Sequence, residues 1–466
     1  MAQTTELKRE IKYIAEVGTY ISTDGNTPFW LRANQYGTVP LTSPIVTLRG
    51  TISSDYKKAV SKEDQYKLSK FDWGYGLNIV GNVGKENQFL IPEAYIKAKF
   101  GAFEIYAGRR KEIFGLVDST LSSGSYIWSG NALPMPKIQI MNRDFVPLGI
   151  TKGFLSFKGI YAHGWFENDR TDVKNFYLHQ KSLYFRLGKP DWKFKFYGGF
   201  NHQVQWGGTL KYSDPTNQFS INGQVGSSFN DYINVVTGRS LAGVGDTTKN
   251  GANDALNRSG NHLGTVDFGF ELNTRKVKVF VYRQNIYEDG SLAYLSNISD
   301  GLNGVSFTFK KPDNQKFHIS KLVFEYLNTM SQGGNSSGDN SNSRLRGNDN
   351  YFNNGVYKDG WTYKGNIIGT PFVSLMVNRV NSIYLAIETI INQNLNFQIK
   401  FSNNNDLGSY DIKSLENASS TNYLSVRINR ISKKCKGVLF LTDFNYDSHC
   451  SHNNRFGIFL GLKKEW

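Results

Sequence analysis

Apolar and polar positions alternate with a period of two over much of the chain. In Phe71-Asp72-Trp73-Gly74-Tyr75-Gly76-Leu77-Asn78-Ile79 every odd residue is bulky and apolar, and every even one is small or polar. The same beat sets Val266, Phe268, Phe270 and Leu272 against Asp267, Gly269, Glu271 and Asn273. It also sets Leu395, Phe397, Ile399 and Phe401 against Asn396, Gln398, Lys400 and Ser402. Side chains of an extended strand point alternately to opposite faces, so each such run predicts a strand with one apolar and one polar face. The pattern places strands at about 10–22, 44–55, 67–82, 91–100, 102–109, 136–147, 153–167, 176–188, 191–206, 262–273, 276–288, 303–311, 316–329, 381–391, 394–404, 421–433, 437–447 and 455–466. Strands of soluble sheets average five or six residues. Runs near ten residues, apolar outward and polar inward, are what a lipid-facing barrel requires.

The connections sort into two kinds. Short turns fall at Phe100-Gly101-Ala102, Gly188-Lys189-Pro190-Asp191, Asn273-Thr274-Arg275-Lys276, Pro312-Asp313-Asn314-Gln315 and Lys433-Lys434-Cys435-Lys436. Long loops span about 23–43, 110–135, 207–261, 289–302, 330–380 and 405–420, and residues 331–350 are rich in Ser, Asn and Gly, as in a mobile loop. Bacterial barrels have short periplasmic turns and longer extracellular loops. The expected fold is therefore all-β: a transmembrane antiparallel β-barrel of about 18 strands with both termini periplasmic. A short periplasmic segment, 1–9, precedes a single barrel domain, 10–466, with large extracellular loops near 110–135, 207–261 and 330–380. The loops 207–261 and 330–380 are expected to fold over the mouth. Phe456, Ile458, Leu460 and Leu462 share one face of a last strand that runs to Trp466, resembling the signal that barrel-assembly machinery reads. The expected location is the outer membrane of a Gram-negative bacterium, in contact with its lipid and lipopolysaccharide. Met1–Glu10 has no apolar stretch of signal-peptide type. An exported barrel needs one, so Met1–Gln3 is expected to lie near a processed or re-engineered start.

Composition narrows the picture. Hydrophobic residues make up 39% of the 466 and aromatics 14%, with 46 glycines. That apolar quota is thin for several globular cores but suffices for one sheet that needs apolar residues at alternate positions. No run of about 18 apolar residues exists to form a transmembrane helix. The formal net charge is +15, from 54 Lys and Arg against 39 Asp and Glu. In an exported protein this points to an acidic partner, such as lipopolysaccharide phosphates or an anionic polysaccharide, with solvated surface as the plain alternative. No basic helix or compact basic run supports nucleic-acid binding. Two cysteines, Cys435 and Cys450, are no disulfide framework. A full strand between them would hold them roughly 40 Å apart, beyond the reach of a bridge.

Three loop segments carry more aromatic and amide residues than a passive loop needs. They are Thr27-Pro28-Phe29-Trp30-Leu31-Arg32-Ala33-Asn34-Gln35-Tyr36-Gly37, then Ser123 to Ala132 with Pro134-Met135-Pro136-Lys137 and Asn142-Arg143, and Asp349 to Tyr357 running on through Gly360-Trp361-Thr362-Tyr363-Lys364-Gly365. Together with Gln205-Trp206-Gly207-Gly208 they resemble the Wzi family of capsule-assembly outer-membrane proteins, over nearly the whole chain from about residue 27. The resemblance implies an eighteen-stranded barrel occluded by extracellular structure, acting as a lectin-like attachment factor for capsular polysaccharide. Enterobacterial members carry a periplasmic helical region before the barrel, whereas about nine residues precede the first expected strand here.

Sugar binding at these loops also has a physical basis. Sugar C–H faces stack on Trp and Tyr, while Asn, Asp and Arg satisfy hydroxyls or carboxylates. The candidates are Trp128, Asn131, Arg143, Trp206, Tyr351, Tyr357, Trp361 and Tyr363. The competing reading is that these side chains pack the loops into a cap or join the aromatic girdle. Catalytic signatures are missing: there is no G-x-S-x-G, H-E-x-x-H, paired C-x-x-C or phosphate loop. His449, Cys450 and His452 read as a chance cluster rather than metal ligands, and no cofactor is expected. The expected function is non-enzymatic attachment or assembly of an acidic polysaccharide. The alternatives are a porin-like channel, since eighteen strands enclose a lumen unless something fills it, or an accessory barrel with outer-membrane protein partners.

Overall fold

The computed structural model describes residues 7–59, 69–288, 296–311, 316–334, 348–392, 394–410, 419–449 and 454–466. Among them, eighteen antiparallel strands close into one barrel. In chain order they are β1 Ile11–Ser22, β2 Ile45–Ser54, β3 Phe71–Gly84, β4 Gln88–Phe100, β5 Phe103–Arg109 and β6 Pro136–Asn142. Then come β7 Leu155–Trp165, β8 Tyr177–Leu187, β9 Phe194–Trp206, β10 Asn261–Asn273, β11 Val277–Glu288 and β12 Gly301–Phe309. The last six are β13 Phe317–Asn328, β14 Val380–Ile391, β15 Leu395–Asp406, β16 Ser419–Ser432, β17 Val438–His449 and β18 Arg455–Glu465. The pair Val146–Pro147 also bonds β7 and continues β6 after an interruption. Each strand pairs with its chain neighbours, and β1 with β18 closes the ring. Closure leaves no strand edge unpaired in lipid.

At that seam Tyr20 packs against Phe459 in a tilted pair with centroids 4.4 Å apart. Both rings point into the lumen, and the glycines on either side make room for them. A Cβ at Gly18 or Gly461 would meet the Phe459 ring at 2.4 or 2.8 Å.

The alternation read from the sequence holds in register. Phe71, Trp73, Leu77 and Ile79 are exposed on the outer wall while Asp72 and Asn78 are buried inward; Phe268 is exposed and Asp267 buried; Phe456, Leu460 and Leu462 face out and Phe459 faces in. No described helix is long and apolar enough to cross a membrane.

Every strand foreseen from the pattern is present, with ends shifted by a few residues. The two rims are unequal, as expected: both described termini and most short turns lie on one, here the terminal rim, and the long connections on the other, the loop rim. Several connections break the length rule, 143–154 on the terminal rim and 450–454 on the loop rim among them. Residues 85–87 turn tightly on the loop rim, and 55–70 make a long excursion on the terminal rim, where Lys58–Ala59 pairs with Leu7–Lys8. The turn Pro312–Gln315, residues 335–347, Cys450 and His452 fall outside the described residues.

Candidate functional site: the plug and cap at the loop rim

The barrel core is made by its loops. The connection 110–135 dips into the lumen, and polar groups on the inner wall receive its backbone. Asp267 accepts the Leu116 N–H at 2.9 Å, Gln284 accepts the Tyr126 N–H at 2.9 Å, and Glu325 accepts the Ser123 N–H at 2.7 Å. The same device holds the other loops: Glu288 accepts the Phe352 N–H at 2.8 Å and Asp447 the Phe29 N–H at 2.9 Å. A buried backbone donor without a partner is costly. An inward carboxylate on a strand is therefore as much a part of the plug as the loop it holds.

Helix α1, Phe29–Arg32, carries Phe29 and Trp30 into the lumen. Phe29 stacks on Tyr423 at 4.2 Å, and Trp30 lies 5.4 Å from Tyr384. Below the plug, Lys137 is buried over the Trp128 ring at 4.6 Å, and its ammonium donates to Glu112 at 2.9 Å. Burial works against the ionised form of Glu112, but Lys137 and Arg110 overcome it and hold its carboxyl below the usual carboxylate range.

The eight candidate residues separate into three groups. Trp128, Asn131, Tyr351, Tyr357, Trp361 and Tyr363 come together in one body built from 110–135 and 348–379. The rings of Trp128, Tyr351, Tyr357, Trp361 and Tyr363 are all buried, and Trp361 is 0% exposed. Tyr351 donates to Asp300 at 2.9 Å, and Tyr357 donates to the Gly207 carbonyl at 3.0 Å and stacks on Phe176. Arg109 donates to the Tyr363 hydroxyl at 3.0 Å, and burial pushes that phenol up to about 12. Asn131 knits three loops: its carbonyl accepts the Asn34 N–H at 3.3 Å and its amide donates to the Ile367 carbonyl at 3.1 Å.

Trp206 lies elsewhere, on the outer face of β9, buried beside Tyr177 and Tyr232. Arg143 is at the terminal rim, half exposed, 3.7 Å from both Asp55 and Glu104. These aromatic rings are the packing of the cap rather than its exposed face.

That face interleaves lysines with carboxylates, and its residues escaped the sequence reading because isolated loop lysines give no periodic signal. Lys358 lies 4.0 Å over the Tyr212 ring and 3.6 Å from Asp172. Lys364 donates to Asp169 at 2.7 Å, which holds that carboxyl below its ordinary range. Lys174 and Lys211 are exposed on the adjoining connections. Arg170, buried beneath them, forms a 3.1 Å pair with Glu167 and donates to the Gly360 carbonyl at 3.3 Å. Exposed cations beside a half-covered tyrosine can take a carboxylated sugar by charge and stacking together.

The loop 207–260 departs from expectation. Its first part caps the mouth, with Leu210 and Val225 joining the plug core. Its second part turns outward and lies on the outside of the barrel, because the helix it forms packs on outward-facing residues of β7–β9. The mouth is thus closed chiefly by 23–44, 110–135 and 348–379.

Fold and lumen together define an occluded, outer-membrane type β-barrel. The family described as capsule assembly protein Wzi matches residues 14–429. The chain belongs to that family. Among solved structures it is similar to Wzi of Escherichia coli, described as an outer membrane protein involved in group 1 capsule assembly and a carbohydrate-binding β-barrel. Identity is 16%, coverage is 97% of this chain and 84% of that one, and the TM-score is 0.60. The Pseudomonas aeruginosa barrels OprD and OpdQ are more distant. OprD has 8% identity, 99% and 96% coverage and a TM-score of 0.47; OpdQ has 9%, 98% and 99%, and 0.46. Compared by sequence with curated proteins, the chain matches none.

Proposed function

We propose that this protein is a non-enzymatic surface barrel that binds acidic capsular polysaccharide, lectin-like, on its loop-rim cap and so helps attach or assemble the capsule. In this reading the loop rim is extracellular and both termini periplasmic. The observation that carries it is the Wzi family membership over 14–429, joined to the exposed cap lysines Lys358 and Lys364 beside Tyr212. The buried candidates Trp128, Tyr351, Tyr357, Trp361 and Tyr363 then act as scaffold, with Asn131 tying the loops beneath the sugar. The loops filling the lumen favour a binding surface over a porin-like channel.

Immobilised protein should retain a uronic-acid polymer over a neutral glucan, with affinity falling as salt rises. Replacing Lys358 and Lys364 together with Ala should weaken retention of the acidic polymer at least several-fold. Equal retention of both polymers, or retention unaffected by the double change, would overturn the role given to the cap lysines. In cells, deletion of the gene should convert attached capsule to shed polysaccharide. Unchanged attachment would end the capsule role.

A further inference from the structure

On β7–β10 the outer wall changes character near the loop rim. Over most of its height the wall presents Phe, Ile, Leu and Val, and lower on these same strands Phe185, Phe196 and Phe268 are exposed on it. Near the loop rim β14–β16 also turn amides outward, at Asn381, Asn403, Asn405 and Asn422, which bond one another. Higher up on β7–β10, the outward positions are His163, His179, Lys181, His202 and His262. His179, His202 and His262 are nonetheless buried, because helix α2, Phe229–Thr237, lies outside the barrel against β7–β9 and His262 sits under His202 and the Ser259 carbonyl. Tyr232 bonds the Tyr161 hydroxyl at 2.6 Å and packs against His179 at 5.9 Å. Val235 packs in one cluster with Val204 and Trp206. Lys181 donates to the Val236 carbonyl at the open end of the helix, and His202 bonds His262 at 2.9 Å.

The helix starts on a capping box, in which Ser228 accepts from the Asp231 N–H while Asp231 accepts from the Ser228 N–H, and ends at Gly238 in the left-handed region. The start is therefore satisfied within the helix, and Gly238 together with Lys181 closes its other end.

We infer that α2 is an in-plane membrane anchor that seats this side of the barrel in the outer leaflet, at the boundary between acyl chains and headgroups. Polar and cationic groups on a lipid-facing wall are costly, by an amount that falls toward the interface. The helix and its flanking chain bury three of them, half-cover His163 and Lys181, and offer apolar side chains in their place. Phe229 is 78% exposed and Ile233 43%, one helical turn apart on the face turned away from the barrel. That face continues the exposed apolar belt of Tyr161, Trp165 and Phe185 on the strands beneath it. Arg239, exposed just past Gly238, supplies a cation for lipid phosphate, as basic residues do on helices lying in an interface. The anchor rests on the outer-membrane location and not on polysaccharide binding.

The test uses the full chain with Cys435→Ala and Cys450→Ala, carrying a nitroxide at a single introduced cysteine, in vesicles of phosphatidylethanolamine and phosphatidylglycerol. Phe229→Cys and Ile233→Cys are compared with Phe268→Cys on the bare wall and Thr248→Cys in the exposed part of the same loop. The helix labels should collide with oxygen several-fold more than with a water-soluble nickel chelate, as the Phe268 label does. Behaviour like the Thr248 label would overturn the anchor. Protection from both reagents would also overturn it, in favour of a covering protein or a second copy. Because a nitroxide can perturb a short helix, Ile233→Trp is measured in brominated lipid as well. Its added fluorescence should be quenched, and an unquenched signal counts against the anchor.

Discussion

The Glu325 carboxylate, on the lumen face of β13, accepts the backbone N–H of Ser123 in the β5–β6 loop at 2.7 Å, 202 residues away in sequence. Its other oxygen takes the Ser122 hydroxyl at 2.7 Å and the Tyr282 hydroxyl. One strand residue thereby ties the turn of the plug to β13 and, across β12, to β11. Replacing Glu325 with Ala strands a buried N–H and two hydroxyls, at about 1–3 kcal/mol for each donor left unpaired. The variant should unfold at lower temperature, and in planar bilayers it should show frequent current bursts where the parent protein is nearly silent. A steady, porin-like conductance from the parent would mean that the loops do not close the lumen.

The pair beneath the plug makes stability depend on acid. The Glu112 carboxyl, between Lys137 at 2.9 Å and Arg110 at 3.1 Å, is held below its ordinary range. A carboxyl depressed in the folded state stabilises fully above its unfolded value, about 4.3. The contribution drains away as pH falls through the lower folded value. Glu112→Gln leaves two buried cations facing a neutral amide and should cost about 3–5 kcal/mol at neutral pH. Thermal melts from pH 7 to pH 3 should show the two proteins converging toward the acid end. Parallel melting curves across that range would remove Glu112 from the account.

Burial divides the cap residues by role. Trp361 is fully enclosed beside Phe166, so Trp361→Ala should cost about 3–5 kcal/mol through the cavity it leaves. Its polysaccharide retention should fall only as far as the cap loosens. Lys358 is exposed, so Lys358→Ala should leave the melting temperature within a degree or two while reducing retention of an acidic polymer. Loss of retention by Trp361→Ala at unchanged melting temperature would mean that the ring reaches the sugar after all.

The barrel was legible because period two is a local property and each strand repeats it. Phe71 to Ile79 announces its own two faces without reference to any partner. The cap was not legible in the same way. Tyr351, Trp361 and Trp128 look alike whether they face sugar or each other, and only the tertiary fold buries them. The outer-wall helix was hidden for a related reason. Ser228 and Asp231 carry a helix-start signal, but 207–260 contains no strand periodicity and reads as undivided loop. His179, His202 and His262 stand at outward positions where lipid-facing residues belong. That mismatch was the one sequence clue that something covers the wall there.

Orientation is open to direct measurement through Cys435. This residue is a free, exposed cysteine in the turn between β16 and β17, on the same rim as Trp466. Its backbone N–H bonds the Ser432 hydroxyl at 3.2 Å, and Lys436 follows in the left-handed region, so the turn is tight and the thiol stands clear of the barrel. If that rim is periplasmic, a membrane-impermeant maleimide added to intact cells should not reach it. The Cys450→Ala protein leaves Cys435 as the single thiol. It should stay unlabelled on whole cells and label readily once the outer membrane is permeabilised. Placing the thiol instead at Lys358, with Cys435→Ala and Cys450→Ala, should reverse the result, with labelling of whole cells and no gain on permeabilisation. If intact cells label Cys435 and spare the cysteine at 358, the cap faces the periplasm and cannot hold a capsule at the surface. The strand count and register would survive that outcome, because they do not depend on which rim faces out.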